Sequence, residues 1–367
     1  MPAISDTLRK FNPWHKGKYL RLKLYHAVPP PPPITTRAAY GLIALYALSY
    51  FVPFYLSRTT RPSPTLSRDS PSVIRARIRS VTLSCLACTA ATYVVVSRAR
   101  AGATTPLEGL HLLGLWPVAL WDSLRVLFLT ALLFAGPLFS YLVVDRGWAD
   151  WARLEPLREV WSEWTTWRNI IAGPTTEEIL FRTASIPLMQ LAHCPPRTTI
   201  LLTPVIFGLA HVHHLYEFRL MNPRLPLVAA LARSVFQFAY TTLFGAYATF
   251  LFLRSGSLLA VCAVHAFCNC MGLPQVWGRV EPAPGPVAVS VPVPVMVGGE
   301  RDALLQRRGG DAARPSIAWT VTYYVLLVGG AVMWYRNLWV LTESENGLVP
   351  SSAFSGGSAV GVGMGME

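Results

Sequence analysis

Charge is what this sequence has least of. Asp, Glu, Lys and Arg make up 14% of its 367 residues, against about 25% in a soluble globular chain. So little charge argues against an ordinary soluble enzyme. Acids are scarcer than bases: 19 Asp and Glu stand against 32 Lys and Arg, a net charge of +13. The basic excess sits in an N-terminal tail and in loops between apolar runs, which suits contact with anionic lipid headgroups. No nucleic-acid-binding module accompanies it, so nucleic acid is not an expected partner. Cysteine is sparse too, six in all, which excludes a disulfide framework. Cys85 and Cys88 form a C-x-x-C inside an apolar run, with no second pair to complete a zinc ribbon. Cys262, Cys268 and Cys270 also lie in apolar sequence, and all five read as small buried hydrophobes. There is no internal repeat.

What is abundant is apolar surface. The apolar set is 52%, aromatics are 11%, and the mean hydropathy is +0.38. These values predict an all-α, polytopic integral membrane protein. About 20 apolar residues make enough helix to cross the hydrocarbon core. Candidate runs occur at Ala39–Leu56, Val81–Ser97, Leu124–Val144, Asn169–Leu191, Thr198–Val212, Leu227–Leu253, Ser257–Trp277 and Ser316–Leu341. Of these, Val81–Ser97 is shorter, Asn169–Leu191 is apolar except for Glu177, Glu178 and Arg182, and Thr198–Val212 is short and ends in histidines. That gives about eight spans around an intramembrane site, with Leu124–Val144 the cleanest. Leu110–Leu120 is too short to cross and reads as re-entrant or interfacial. Between the third and fourth spans, Trp148, Trp151, Leu154, Leu157, Trp161, Trp164 and Trp167 recur at helical spacing. Asp150, Arg153, Glu155, Arg158, Glu159 and Glu163 lie largely off that stripe, so one amphipathic helix in the membrane interface is expected over Trp148–Ile170.

The domain organisation follows from composition. Residues 1–38 form a basic arm, expected to be disordered, with Asp6 as its one acid and the proline run Pro29–Pro33 as a stiff spacer. The arm has no apolar core, so it is not a cleaved secretory signal. Its scarcity of acids keeps a transit peptide open. Residues 39–342 form the membrane domain, with a mobile Pro/Val/Gly-rich loop at 280–315. Residues 343–367 form a Gly/Ser-rich tail expected to be disordered. Charge leaves orientation open. The arm is basic, yet the loop beyond the first span, Ser57–Ser80, holds six arginines and one aspartate, and the positive-inside rule cannot serve both sides.

Ionisable residues inside spans cost about 3 kcal/mol each on insertion scales, so they signal function. They gather in three places. In Gly173-Pro174-Thr175-Thr176-Glu177-Glu178-Ile179-Leu180-Phe181-Arg182, Glu178 and Arg182 are four apart and can pair on one helix face. Glu177 is offset by about 100°, which leaves it uncompensated and suited to general-base work. In Phe207-Gly208-Leu209-Ala210-His211-Val212-His213-His214, followed by Glu217, Phe207 and His211 share a face. His213 and His214 read as interfacial and wet. In His265-Ala266-Phe267-Cys268-Asn269, His265 and Asn269 are four apart and offer two donors at one depth. That pair suits an oxyanion better than a metal, since Asn is a poor zinc ligand.

The ordered set E-E-x-x-x-R, F-x-x-x-H and H-x-x-x-N resembles the CAAX prenyl protease 2 family, also called type II CAAX endopeptidases or Ras-converting enzymes. The resemblance covers roughly Leu107–Pro274. It includes the Arg168-Asn169 approach and an F-G-x-A-H-x-H-H-x-x-E form of the second motif, similar to the eukaryotic members. It implies a glutamate-dependent intramembrane endopeptidase of the endoplasmic reticulum membrane, with a site open to the cytosol. The implied partners are farnesylated or geranylgeranylated CAAX proteins such as Ras-like GTPases, which lose their last three residues before a methyltransferase acts. The implied catalytic set is Glu177 and His211 on the attacking water, Glu178 and Arg182 as a supporting pair, and His265 and Asn269 at the oxyanion. Phe207 would pack beneath the site, while His214 and Glu217 carry no assigned role.

No cofactor is expected, and metal dependence stays open. The H-E-x-x-H spacing is absent, yet Glu177, His211 and His265 can be arranged around an ion. A non-catalytic scaffold or transporter of the same superfamily is the alternative from another class.

Overall fold

The computed structural model describes residues 31–63, 66–100, 105–282 and 316–354. Among them there are helices and no β-strand, as expected. Helix α1 (Thr36–Phe51) starts where the Thr35 hydroxyl accepts from the Ala38 N–H, an N-cap of the usual kind. It therefore begins inside the expected arm. Helix α2 (Pro71–Ala99) opens on a proline, whose missing N–H costs nothing there. Helices α3 (Leu120–Leu133) and α4 (Ala135–Phe139) follow. Next come α5 (Gly173–Glu178), α6 (Pro196–Ala210), α7 (His214–Met221), α8 (Leu227–Ser255), α9 (Leu258–Met271) and α10 (Ile317–Leu341).

Five helical stretches are long and apolar enough to cross a membrane: Thr36–Leu56, Pro71–Ala99, Pro196–Met221, Leu227–Ser255 and Ile317–Leu341. Leu120–Leu133 with Ala135–Val144 makes a sixth if the bent pair is one span. The chain is thus a polytopic α-helical membrane protein. The other two expected spans hold Glu177, Glu178 and His265, and neither forms a helix long enough to cross. Helix α9 has 14 residues, a length of about 21 Å against a core of about 30 Å, and Gly272 at φ +65° ends it well before Trp277. The stretch from Trp164 to Leu191 is a succession of short helical segments.

The span expected to be cleanest, Leu124–Val144, bends by 83° at Phe134. Pro137 cannot donate to the Leu133 carbonyl. Gly136 lets α10 come close: a methyl group there would sit 2.9 Å from the Tyr323 carbonyl oxygen. The bend allows α10 to pack against both α3 and α4.

The expected amphipathic helix over Trp148–Ile170 is broken into Gly147–Ala152, Glu155–Ser162 and Trp164–Trp167. Leu154 takes a left-handed conformation at φ +57°, and Pro156 follows in the next helix's first turn. Trp148, Trp151, Leu157 and Trp161 still face outward, so the apolar surface survives the break. Leu110–Leu120 contributes only the end of a short helix, Pro106–Leu112, and a loop.

The first part of the expected C-terminal tail packs. Buried Arg254 donates to Thr342 Oγ1, the Trp339 carbonyl and Ser351 Oγ, and Leu348 N–H donates to the Leu253 carbonyl. Residues 355–367, most of the 280–315 loop and residues 1–30 of the arm lie outside the described residues. The cysteines are free thiols; Cys85 and Cys88 are buried as expected, whereas Cys270 is exposed.

Candidate active site

Helix α5 lies between two wide π-helical turns, Arg168–Ala172 and Ile179–Ala184, a device that often marks functional sites. It is held from outside. Tyr50 and Thr176 hydroxyls bond at 2.9 Å, and the Cys85 thiol donates to the Thr176 carbonyl at 3.2 Å. These contacts fix the residue just before the two glutamates.

Glu178 is fully buried, and its Oε2 lies 3.1 Å from Arg182 Nε. The i,i+4 pair read from the sequence forms. Arg182 Nη2 also donates to the Gly245 carbonyl at 3.2 Å, and its guanidinium lies 4.9 Å from the Phe207 ring centroid. The other oxygen of Glu178 had no expected partner. It accepts from His265 Nδ1 at 2.7 Å. No spacing in the sequence links positions 178 and 265. Their meeting depends on α9 packing against α5.

Glu177 does not pair with Arg182. Its Oε2 lies 3.7 Å from His211 Nε2 and 3.9 Å from His265 Nε2. Both gaps exceed a hydrogen bond and suit a bridging water. His211 caps the end of α6, and its Nδ1 lies 2.8 Å from the Phe207 carbonyl. With the proton on Nδ1, the Nε2 lone pair points toward Glu177. Phe207 packs under the site as expected, with its ring centroid 4.7 Å from that of His211.

Asn269 lies one helical turn beyond His265, at the exposed rim, and its amide donates to the Asn169 carbonyl at 2.9 Å. Glu177, Glu178, Arg182, His211 and His265 therefore converge, and Asn269 sits at the edge of the same cluster.

The second histidine motif is not wet. His213 stacks parallel to Phe51 at 5.3 Å, and His214 donates from Nδ1 to Glu217 at 3.1 Å. Buried Glu217 also meets Arg77 at 2.7 Å and Arg68 at 3.2 Å. The ligand atoms of His213, His214 and Glu217 lie within 4.8 Å of one another, as a metal site would require. The two guanidiniums already neutralise Glu217 and repel a cation, so the trio is a structural brace rather than a metal centre. The arginines that complete it are far away in sequence, and no motif spacing flags them.

Comparison with known proteins gives one consistent result. The chain matches the family model described as type II CAAX prenyl endopeptidase Rce1-like over residues 159–271. It is 36% identical over 307 residues to the probable CAAX prenyl protease 2 of Schizosaccharomyces pombe, covering 84% of this chain and 94% of that one. It is 34% identical over 247 residues to the human CAAX prenyl protease 2, covering 64% and 70%. The CAAX prenyl protease 2 of Saccharomyces cerevisiae is 26% identical over 317 residues, covering 79% and 92%. No solved structure matches the chain.

Proposed function

Because the chain belongs to the CAAX prenyl protease 2 family, we propose that Glu177, His211, His265 and Asn269 form its catalytic centre. The protein is a CAAX prenyl endopeptidase, a membrane hydrolase that acts on prenylated CAAX proteins. The observation that carries the residue assignment is the pair of gaps around Glu177 Oε2, 3.7 Å to His211 and 3.9 Å to His265. They suit a water molecule touching a carboxylate and an imidazole lone pair at once.

The proposed reaction starts with Glu177 taking a proton from that water, held by His211 Nε2. The water oxygen attacks the carbonyl carbon of the prenylcysteine. The resulting oxyanion accepts from His265 Nε2–H and from the Asn269 amide hydrogen not used by Asn169. For His265 to donate from Nε2 while Nδ1 bonds to Glu178, the ring acts as an imidazolium, and Glu178 supplies the compensating charge. Glu177 then gives its proton to the leaving amine, and the C-terminal tripeptide departs. Fixed donors of this kind in a water-poor site contribute more than they would in water.

Ras-like GTPases are the proposed substrates, and the endoplasmic reticulum membrane the proposed location. A bilayer site lets the prenyl chain enter sideways while the peptide comes from water. The mouth of the site is proposed to open to the cytosol, as the family resemblance implies; Arg68 and Arg77 bond to Glu217 beside His214 on that side.

The test is cleavage of a farnesylated C-a-a-X peptide by the purified protein before and after exhaustive chelation. Retained turnover supports the glutamate mechanism. Loss that zinc restores would favour the second reading, in which Glu177, His211 and His265 hold an ion. That reading has one observation behind it: both histidines bond through Nδ1, the orientation typical of metal-ligating imidazoles.

Asn269 separates the two readings further. Asn269→Ala is expected to lower kcat about 10²–10³-fold with little change in KM, because its bond strengthens in the transition state. Asn269→Asp should be worse at neutral pH, since a carboxylate repels the oxyanion and faces the Asn169 carbonyl. Steady-state kinetics on one prenylated peptide checks both variants, and an Asp variant that outperforms Ala would count against the oxyanion role.

A further inference from the structure

An endopeptidase that removes three residues and stops must sense where its substrate ends. A free C-terminal carboxylate is the one chemical group common to all such ends. Three extended residues span at most about 10 Å, so the sensor has to lie near the oxyanion donors and carry positive charge.

One hydrogen-bonded path leads from those donors to a guanidinium. Asn269 donates to the Asn169 carbonyl at 2.9 Å, and Arg168 Nε donates to the Asn169 side-chain oxygen at 3.0 Å. Arg168 Nη1 meets Asp69 Oδ1 at 2.7 Å and the Arg68 carbonyl at 3.4 Å. Its Nη2 has no hydrogen-bond partner among the described residues. The Arg168 side chain is 17% exposed and that of Asp69 53%. A well-anchored cation is therefore matched to a loose, solvent-facing carboxylate.

The neighbouring cations are not available in the same way. Arg77 and Arg68 both bond to buried Glu217, and Arg68 Nε also lies 3.8 Å from Asp69 Oδ1, a longer contact than the 2.7 Å from Arg168. Arg77 also donates twice to the Thr60 carbonyl, at 3.1 and 2.8 Å. Among these five side chains, Arg68, Arg77 and Arg168 set three positive charges against the two negative ones of Asp69 and Glu217. Arg168 also sits at the start of the π-helical turn that leads into α5, which ties its position to that of Glu177.

Building on the endopeptidase reading above, we propose that Arg168 binds the free C-terminal carboxylate of the substrate, with Asp69 as an internal stand-in that the substrate displaces. Asp69 occupies the guanidinium when no substrate is bound. The arriving carboxylate takes the same donors in a charge-assisted pair and places the bond three residues upstream over His265 and Asn269. A chain that continues past this point brings no carboxylate and gains nothing from Arg168.

The experiment uses two farnesylated peptides, identical except that one ends in a carboxylate and the other in a carboxamide. With the purified full chain, kcat/KM is expected to favour the acid by about 10- to 100-fold. Arg168→Gln should bring that ratio near one by raising KM for the acid, and Arg168→Lys should keep part of it. Asp69→Asn removes the stand-in and should lower KM for the acid while leaving the amide unchanged. This variant keeps the question decidable if Arg168→Gln folds poorly. The proposal is overturned if the wild type cuts both peptides equally well, if Arg168→Gln slows both by the same factor, or if Asp69→Asn leaves both values of KM unchanged. Cleavage of neither peptide by the wild type would sink the endopeptidase reading itself, and this proposal with it.

Discussion

Glu177→Ala is expected to abolish cleavage of a prenylated C-a-a-X peptide while expression and membrane insertion stay intact. Glu177 stands apart from the buried ion pair, so removing it leaves no buried partner stranded. Its Oε2 atom, 3.7 Å from His211 and 3.9 Å from His265, is the point where a water would lose its proton. General-base catalysis contributes about 10²–10⁴-fold, and loss of the bound water adds to that. His211→Ala should behave the same way, because the water needs its second partner. Single-turnover assays on purified variants measure both. Normal turnover by Glu177→Ala would remove it as the base and point to another carboxylate.

Glu178→Ala should act through stability first. Glu178 is fully buried and serves two partners, Arg182 at 3.1 Å and His265 at 2.7 Å. Removing one member of a buried pair costs about 3–5 kcal/mol, chiefly because a desolvated charge is left alone. The double change Glu178→Gln with Arg182→Met keeps an acceptor for His265 and removes the stranded guanidinium. It should melt in detergent well above Glu178→Ala. It should still turn over more slowly than the wild type, because His265 would have lost the carboxylate that its Nδ1 bonds. Thermal melts of the single and double variants, read as a cycle, measure the coupling. Purely additive melts would mean that the two side chains do not support each other.

The two outcomes separate chemistry from support. A loss at Glu177 without a melting shift, together with a loss at Glu178 with one, is the pattern the geometry demands.

Much of this protein is legible along the chain. Low charge and long apolar runs specify a helical membrane protein, because hydrocarbon leaves the backbone few other ways to satisfy its hydrogen bonds. The four-residue spacing of Glu178 and Arg182 put them in contact, and the same offset left Glu177 outside that pair. The ordered motifs alone carry the resemblance to the family to which the chain belongs. These features are local, or they repeat at the period of one helix, and a linear sequence carries such information directly.

The rest depends on which helices meet. The Glu178–His265 bond joins residues 87 positions apart, and the Arg68–Glu217 pair joins residues 149 apart. Neither has a spacing rule behind it. The bend at Phe134 and the breaks at Leu154 interrupt runs that are apolar or periodic throughout, because Pro137, Pro156 and the close approach of α10 outweigh a favourable hydrophobic pattern. Composition determined the solvent this chain lives in, and helical periodicity determined which neighbours on one helix can pair. Only tertiary packing decided that Glu178 would orient His265 and that an arginine from the loop after α1 would brace the second histidine motif. Those contacts are chosen by how whole helices fit together, a property spread over hundreds of side chains rather than written at any two positions.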